Sequence, residues 1–276
     1  MNKNEQPIGV FDSGIGGLTV LKALKARLPS ESFLYLGDTA RLPYGIKSKQ
    51  TVANYALQAA KFLVDCEIKM LIIACNTASA MALSFLKQQF SSIPIIGVIE
   101  PGAQAACDAS KTGHIVVAAT EATIANQAYT HAIHCLMPTA KITGQACSLF
   151  VTLAEEGWLD DEITALVAGR YLLPHFNHQD TQADCLLLGC THFPALIPTL
   201  HKVLGDRITI VDSAKTTANA VARVLDLQQI CATNQKSGAI KYYLTDISPR
   251  FASIAAYFLQ QPIDVSNLQL VDILKN

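Results

Sequence analysis

Charge is scarce in this chain of 276 residues, since only 16% of them are Asp, Glu, Lys or Arg and the formal net charge is -1. No run of Lys and Arg exceeds two residues, so the chain lacks the basic surface with which proteins follow the phosphates of nucleic acids. Hydrophobic residues make up 50% of the chain, too large a share for a disordered protein. The composition therefore predicts a compact globular protein without a nucleic-acid partner.

A secretory leader is also missing, because residues 1–12 contain Lys3 and Glu5 but no apolar stretch. We therefore expect a cytoplasmic protein. The uncharged segment Met70–Leu86 approaches the shortest length of a membrane span, about 17 residues. Four polar side chains interrupt this segment, those of Asn76, Thr77, Ser79 and Ser84. A buried strand followed by a helix explains the same residues, so the sequence predicts no contact with a membrane.

The chain has no zinc motif, because none of its eight cysteines and seven histidines are paired at the spacing of zinc ligands. We therefore predict no metal. In a cytoplasmic protein of this size, the cysteines are expected to be reduced thiols rather than a disulfide framework. Most free cysteines are small buried hydrophobes, so a functional role for one of them must follow from its position.

Short apolar runs alternate with longer amphipathic segments along the whole chain, which is typical of a parallel α/β sheet. Strands are predicted at Ile8–Phe11, Phe33–Leu36, Met70–Ala74, Pro94–Val98, His114–Ala118, Lys141–Gln145, Cys185–Gly189, Ile208–Val211 and Lys241–Leu244. Helices are expected in the intervals, notably at Gly16–Leu28, Lys49–Val64, Thr77–Phe90, Thr123–Cys135, Asp160–Tyr171, Pro194–Val203, Ala214–Gln228 and Pro249–Leu259.

A weak internal repeat divides the chain into two similar units. Residues 69–77 superpose on residues 184–192 at an offset of 115, and residues 8–13 superpose on residues 115–120 at an offset of 107. Accidental similarity between apolar strands is the alternative, but each unit also ends a strand with a small residue and a cysteine, Cys75 or Cys190. Ligands bind at the carboxyl ends of parallel strands, which places both cysteines at the expected functional edge. Two similar α/β lobes are predicted.

Cys75 and Cys190 each precede a predicted helix, whose dipole and free N–H groups lower the pKa of a thiol. Both are therefore expected to supply a thiolate near neutral pH and to act as bases. Two equivalent acid/base groups suit a reaction that removes a proton from one face of a carbon and returns one to the other face, which is racemisation. The turn Asp12–Gly17 lacks the spacing of a nucleotide loop, and its N–H groups suit a substrate carboxylate.

Five motifs follow one another between about residues 8 and 218, namely Asp12–Gly17, Gly37–Asp38 with Pro43–Gly45, Ala74–Ser79, Gly97–Gly102 and Gly189–Pro194. In these motifs the chain resembles the PLP-independent aspartate/glutamate racemases, in particular the glutamate racemases that supply D-glutamate for bacterial peptidoglycan. The resemblance implies an enzyme that binds a small molecule, glutamate, and uses no cofactor. It also implies two pseudo-symmetric α/β lobes with mostly parallel sheets, and an active site in the cleft between them.

The same resemblance implies roles for individual residues. Cys75 would take the proton from D-glutamate and Cys190 the proton from L-glutamate. Asp12 would assist Cys75, while His192, oriented by Glu155, would assist Cys190. Asp12 and His192 would also contact the substrate, together with Ser13, Pro43, Tyr44, Gly45, Asn76, Thr77, Thr120 and Thr191.

The chain departs from the family pattern at two places. Ala119–Thr120 stands where a Gly-Thr pair is expected, and Ser148 and Thr152 replace the usual prolines before Glu155. Thr120 still aligns with Ser13 in the internal repeat, so its hydroxyl is expected to bind the substrate carboxylate or ammonium.

The family fold also implies which residues form each lobe. Residues 1–97 and 211–276 are expected in the first lobe, because the C-terminus returns to it, and residues 98–210 in the second. The residues do not decide the oligomeric state, and a homodimer is one option. Arg41 is the only arginine in the motifs, so neutral donors are expected to hold the side-chain carboxylate of glutamate and to discriminate against aspartate.

Other functions stay open at this point. A related racemase could act on aspartate or another amino acid. Cys190, His192 and Glu155 could instead form the triad of a thiol hydrolase, although that leaves Cys75 unused. A binding protein of the same fold would hold glutamate without exchanging its α-proton. Asp12 could serve only as an N-cap of the first helix.

Overall fold

The computed structural model describes residues 3–176, 183–233 and 236–274. Its strands are β1 (Ile8–Asp12), β2 (Phe33–Gly37), β3 (Met70–Ile73), β4 (Ile95–Gly97), β5 (His114–Ala119), β6 (Lys141–Ala146), β7 (Cys185–Gly189), β8 (Thr209–Asp212), β9 (Ile240–Leu244) and β10 (Leu268–Leu270). They form a six-stranded sheet in the order β10-β9-β2-β1-β3-β4 and a four-stranded sheet in the order β6-β5-β7-β8. All recorded pairings are parallel.

The α-helices are α1 (Leu18–Arg27), α2 (Lys49–Asp65), α3 (Asn76–Gln89), α4 (Ile99–Ala109), α5 (Glu121–Asn126), α6 (Ala128–Leu136), α7 (Ser148–Glu155), α8 (Glu162–Phe176), α9 (Ile197–Leu204), α10 (Ser213–Gln228) and α11 (Phe251–Leu259). Central strands such as β1 and β7 are buried at every position, as expected for parallel sheets covered by helices on both faces. The predicted α/β class is confirmed.

The internal repeat has the same structure in both sheets. The strand order β2-β1-β3-β4 of the larger sheet recurs as β6-β5-β7-β8 in the smaller one. Ile8 pairs with Met70 in the first sheet and Ile115 pairs with Cys185 in the second. The sequence offsets of 107 and 115 superpose the same two pairs. Because strand order and register both repeat, the similarity is structural and not accidental.

The segment that imitates a membrane span folds as predicted, with β3 leading through Ala74 and Cys75 into α3. Among the described residues, no helix has the length and apolar character needed to cross a membrane.

One helix prediction is wrong. The segment Thr123–Cys135 is not continuous, because Gln127 has a left-handed backbone with φ of 57° and separates α5 from α6. A residue in this conformation cannot continue a right-handed helix. Two further helices, α4 and α7, form in intervals where no specific helix is predicted. The last residue of α7 is Glu155, one of the predicted site residues.

Candidate active site

A small cavity of about 150 Å³ lies at the carboxyl ends of strands from both sheets. It is lined by nearly all of the predicted site residues, namely Ser13, Pro43, Tyr44, Gly45, Cys75, Asn76, Thr77, Thr120, Cys190, Thr191 and His192. This volume is below the range of drug-sized ligand sites, about 300–1,000 Å³, and suits a small metabolite. A larger groove of about 640 Å³ runs between α1, α9, α10 and α11, and neither Cys75 nor Cys190 is among the described residues that line it.

Cys75 follows β3 and is the N-cap residue of α3. Its Sγ accepts a hydrogen bond from the backbone N–H of Ala78 at 3.4 Å and donates one to Ser13 Oγ at 3.3 Å. The side chain is 5% exposed, yet it lines the cavity. The thiol thus lies at a helix N-terminus, as the sequence predicts.

The predicted lowering of the Cys75 pKa is wrong for this structure. Burial and the neighbouring carboxylate of Asp12 raise the pKa of the Cys75 thiol to about 12. The hydrogen bonds that Cys75 makes with Ser13 and with the backbone of Ala78 act in the opposite direction but do not compensate. The positive end of one helix dipole lowers the pKa of a thiol by less than burial and a nearby negative charge raise it. Cys75 therefore holds a proton in this structure.

Asp12 lies behind Cys75 and does not line the cavity. It ends β1, is completely buried, and accepts a hydrogen bond from the N–H of Gly14 at 2.9 Å. Burial raises the pKa of Asp12, against the charge of His192 and the backbone N–H groups around it. Helix α1 begins at Leu18 with Gly17 as its N-cap, so Asp12 does not occupy the N-cap position.

Cys190 has a different neighbour. Its Sγ lies 3.9 Å from Nδ1 of His192, and Nε2 of His192 lies 2.9 Å from Oε1 of Glu155. Burial alone would lower the pKa of His192, but hydrogen bonds to Cys190 and Glu155 outweigh it and raise this pKa to about 10. His192 is therefore an imidazolium at neutral pH, and its positive charge lies next to the sulfur of Cys190.

A close approach of the glycine turn holds His192 in place. A Cβ on Gly16 would come within 2.4 Å of His192 Nδ1 and of Thr191 Oγ1, so only glycine fits there without displacing the imidazole. The ring of Phe258 packs edge-on against His192 with the centroids 5.3 Å apart. The contacts of Gly16 with Thr191 and His192 join the turn after β1 to the segment after β7. Strands β1 and β7 belong to different sheets.

Hydroxyl groups from both sheets meet at one side of the cavity. Thr77 Oγ1 lies 3.1 Å from Thr120 Oγ1 and 3.2 Å from Thr123 Oγ1. Arg41 does not line the cavity, because its guanidinium pairs with Asp38 at 2.7 Å and stacks over the ring of Tyr55. No arginine is among the described residues that line the cavity.

The cavity has lining residues that the sequence interpretation did not assign to it, namely Ile46, Glu121, Ser148, Val151 and Thr152. Ser148 Oγ donates a hydrogen bond to Glu121 Oε1 at 3.1 Å. The signal that could have found Ser148 and Thr152 is their spacing from Glu155, because residues three, four and seven apart share one face of a helix. Among the described residues, no group of three His, Cys, Asp or Glu side chains is arranged to hold a metal ion.

Comparison with known proteins gives consistent matches. The family model for Asp/Glu/hydantoin racemases matches residues 17–221. A glutamate racemase of Geobacter metallireducens is 45% identical over 252 residues, which cover 91% of this chain and 92% of that protein. A glutamate racemase of Syntrophus aciditrophicus is 45% identical over 98% of this chain and 100% of its own length. The crystal structure of glutamate racemase from Francisella tularensis in complex with D-glutamate has a TM-score of 0.91, with 37% identity over 99% of this chain and 100% of that one.

Proposed function

The chain belongs to the Asp/Glu/hydantoin racemase family, and we propose that it is a glutamate racemase, which interconverts L-glutamate and D-glutamate. The observation that carries this proposal is the arrangement of two thiols from equivalent positions of two repeated sheets around one small cavity. A racemase needs an acid/base group on each face of the substrate Cα, and a duplicated fold supplies two. The Francisella tularensis relative was solved with D-glutamate, which supports the same small-molecule substrate here.

The proposed reaction transfers one proton at each face of Cα. With L-glutamate, the Cys190 thiolate removes the α-proton, and the Cys75 thiol donates its own proton to the opposite face. Cys190 then holds a proton and Cys75 is a thiolate, which is the form that accepts D-glutamate. The reverse reaction follows the same steps in the opposite order. No net proton is gained or lost in either direction.

The neighbours of the two thiols suit these unequal resting states. His192, paired with Glu155, carries positive charge next to Cys190 and favours its thiolate. Asp12 lies next to Cys75, and its negative charge favours the protonated thiol of Cys75. Asp12 and His192 thus assist catalysis by stabilising opposite protonation states of their neighbouring cysteines.

We further propose that neutral donors hold both carboxylates of glutamate. The candidates are the hydroxyls of Ser13, Thr77, Thr120 and Thr191, the amide of Asn76 and the backbone N–H groups near Gly45 and Asn76. Aspartate is one methylene shorter than glutamate, so its two carboxylates cannot reach both sets of hydrogen-bond donors at once. Unpaired donors in a buried site make such a substrate unfavourable.

The family resemblance also supports a division into lobes of residues 1–97 with 211–276 and residues 98–210. The boundary between residues 210 and 211 falls inside β8, whose residues Val211 and Asp212 pair with β7 in the smaller sheet, while β9 and β10 pair in the larger sheet. A cytoplasmic location, a supply of D-glutamate for peptidoglycan and a reaction without a cofactor stay predictions.

A second function has one observation in its favour. The contacts from Cys190 to His192 and from His192 to Glu155 match the order of a thiol hydrolase triad. Cys75 would then have no chemical role, although it lines the same cavity.

Incubation with L-glutamate in D₂O, without added cofactor, tests these functions against one another. We expect D-glutamate to appear and deuterium to enter at Cα of the product. A hydrolase or a binding protein would leave the α-hydrogen in place. Parallel incubations with L-aspartate and L-alanine identify the substrate, and faster turnover of aspartate than of glutamate would assign the chain to a related racemase.

A further inference from the structure

We propose that Tyr129 is a positioning residue that holds the amide of Asn76 with its N–H groups available to a substrate carboxylate. This inference rests on the proposed function, because it assigns a task to one donor of the same cavity. Tyr129 is on α6 and does not itself line the cavity, whereas Asn76 begins α3 and does.

The hydrogen bond between the two side chains is short and buried. Tyr129 Oη donates to Asn76 Oδ1 at 2.6 Å, with Tyr129 and Asn76 each 3% exposed. Within the described ranges, Asn76 Nδ2 is buried and has no hydrogen-bond partner. Buried amide donors in proteins are nearly always satisfied, so an orphaned pair of N–H groups beside a cavity indicates a ligand that accepts hydrogen bonds. A carboxylate oxygen is such an acceptor.

The orientation of the amide follows from the direction of donation. A phenol has one proton to donate, and the Tyr129 hydroxyl donates it to the Asn76 oxygen. The Asn76 nitrogen is therefore left for the substrate.

Tyr129 is itself held tightly in this position. A Cβ on Gly189 would come within 2.9 Å of the Tyr129 ring, so the ring packs directly on the backbone that leads into Cys190. Tyr129 therefore contacts the end of β7 in one sheet and the start of the helix after β3 in the other. The Tyr129 side chain therefore links Asn76, which follows a strand of the first sheet, to Gly189 at the end of a strand of the second sheet.

The substitution Tyr129→Phe removes the hydroxyl and keeps the ring. We expect the Asn76 amide to rotate and to present its oxygen to the carboxylate for part of the time, which weakens substrate binding. The KM for L-glutamate and for D-glutamate should each rise about five- to tenfold, as expected for the loss of one buried hydrogen bond. The kcat should change by less than about twofold, because Asn76 transfers no proton.

Tyr171→Phe is the matched control. Within the described part of the chain, the Tyr171 hydroxyl accepts one hydrogen bond, from the backbone N–H of Leu149 at 3.4 Å, and Tyr171 does not line the cavity. This variant should keep the wild-type KM. Thermal unfolding of both variants checks that they fold. A Tyr129→Phe protein that folds and binds glutamate like the wild type would overturn the inference.

A double-mutant cycle separates positioning from general packing. If Tyr129 acts through Asn76, Tyr129→Phe should change KM by less than about twofold when Asn76 is already Ala. An unchanged five- to tenfold effect in the Asn76→Ala background would show that Tyr129 acts in another way.

The dissociation constant of D-glutamate, measured by calorimetry on the same four proteins, keeps this test independent of turnover. If the wild type binds D-glutamate but does not racemise it, the proposed function fails while the cycle still decides the role of Tyr129. If the wild type racemises glutamate and the cycle is additive, only the role of Tyr129 fails.

Discussion

The Glu155→Gln substitution tests the electrostatic role of the His192 pair most directly. Glu155 Oε1 lies 2.9 Å from His192 Nε2, and this contact helps to raise the pKa of His192 to about 10. Glutamine keeps the shape and a hydrogen-bonding oxygen but removes the negative charge. The imidazolium should then lose its proton at lower pH, and the Cys190 thiolate should lose its positive neighbour with it.

The size of the effect follows from the geometry. A hydrogen bond to a charged group contributes about 1.5–3 kcal/mol, and about 1.36 kcal/mol corresponds to one pKa unit. The Glu155 side chain is 30% exposed, so water weakens the interaction and the lower end of the range applies. We therefore expect the pKa of His192 to fall by about 1 in the variant.

The assay is the pH dependence of kcat/KM, measured with both enantiomers by circular dichroism. As pH rises through the pKa of His192, activity should fall, and in Glu155→Gln this fall should come about one pH unit lower. L-glutamate and D-glutamate have equal free energies in water, so kcat/KM must be the same for both at every pH. Agreement between the two curves is an internal check on the measurement.

Glu156→Gln is the matched control, because Glu156 is the next residue in the chain and pairs at the surface with Arg250. This variant removes one negative charge from the protein, as Glu155→Gln does, but leaves the carboxylate next to His192 in place. The pH profile of Glu156→Gln should therefore match that of the wild type. An unshifted alkaline limb in Glu155→Gln, or equal shifts in the two variants, would refute the assigned role of the Glu155 carboxylate.

The same pair links stability to pH. The folded-state pKa of His192, about 10, lies above its ordinary value of about 6.5, so the charged pair stabilises the protein fully below that ordinary value. This stabilisation is lost as pH rises towards the folded-state pKa. Glu155→Gln should therefore lower the free energy of unfolding at pH 6, and the difference from wild type should shrink at alkaline pH in urea titrations.

Three further outcomes are expected. Cys75→Ser and Cys190→Ser should each abolish racemisation from both enantiomers, because each direction needs one group to remove the proton and the other to return it; full activity in either variant, measured by polarimetry, would contradict the two-base reaction. Aspartate should have a kcat/KM about 10–200-fold below that of glutamate, the effect of one methylene, and comparable values would point to a different pocket. Lys69 Nζ lies 2.6 Å from Glu31 Oε2, and Lys69→Met leaves the buried Glu31 without this partner, so the free energy of unfolding measured in urea should fall by about 3–5 kcal/mol. Adding Glu31→Gln to the same chain should restore part of the loss.

The amino-acid sequence determines the layout of this fold because the strands are covered on both sides. A strand buried on both faces is apolar along most of its length, and this makes β1, β3, β5 and β7 visible as nearly continuous apolar runs. The internal repeat is visible for the same reason, since equivalent buried strands tolerate similar residues. Cys75 and Cys190 stand out because they end two such runs, and the carboxyl ends of parallel strands gather at one edge.

Only the tertiary structure determines the burial of each of these thiols and the charges that surround it. The pKa of Cys75 is raised because the thiol is buried away from water and because Asp12, from a neighbouring strand, lies beside it. Neither condition can be derived from the residues around Cys75 in the sequence. The contact between Tyr129 and Asn76 likewise joins residues 53 positions apart. Local sequence pattern sets which segments are strands and helices, whereas charge and hydrogen bonding in the site depend on distances between segments that only the packed chain fixes.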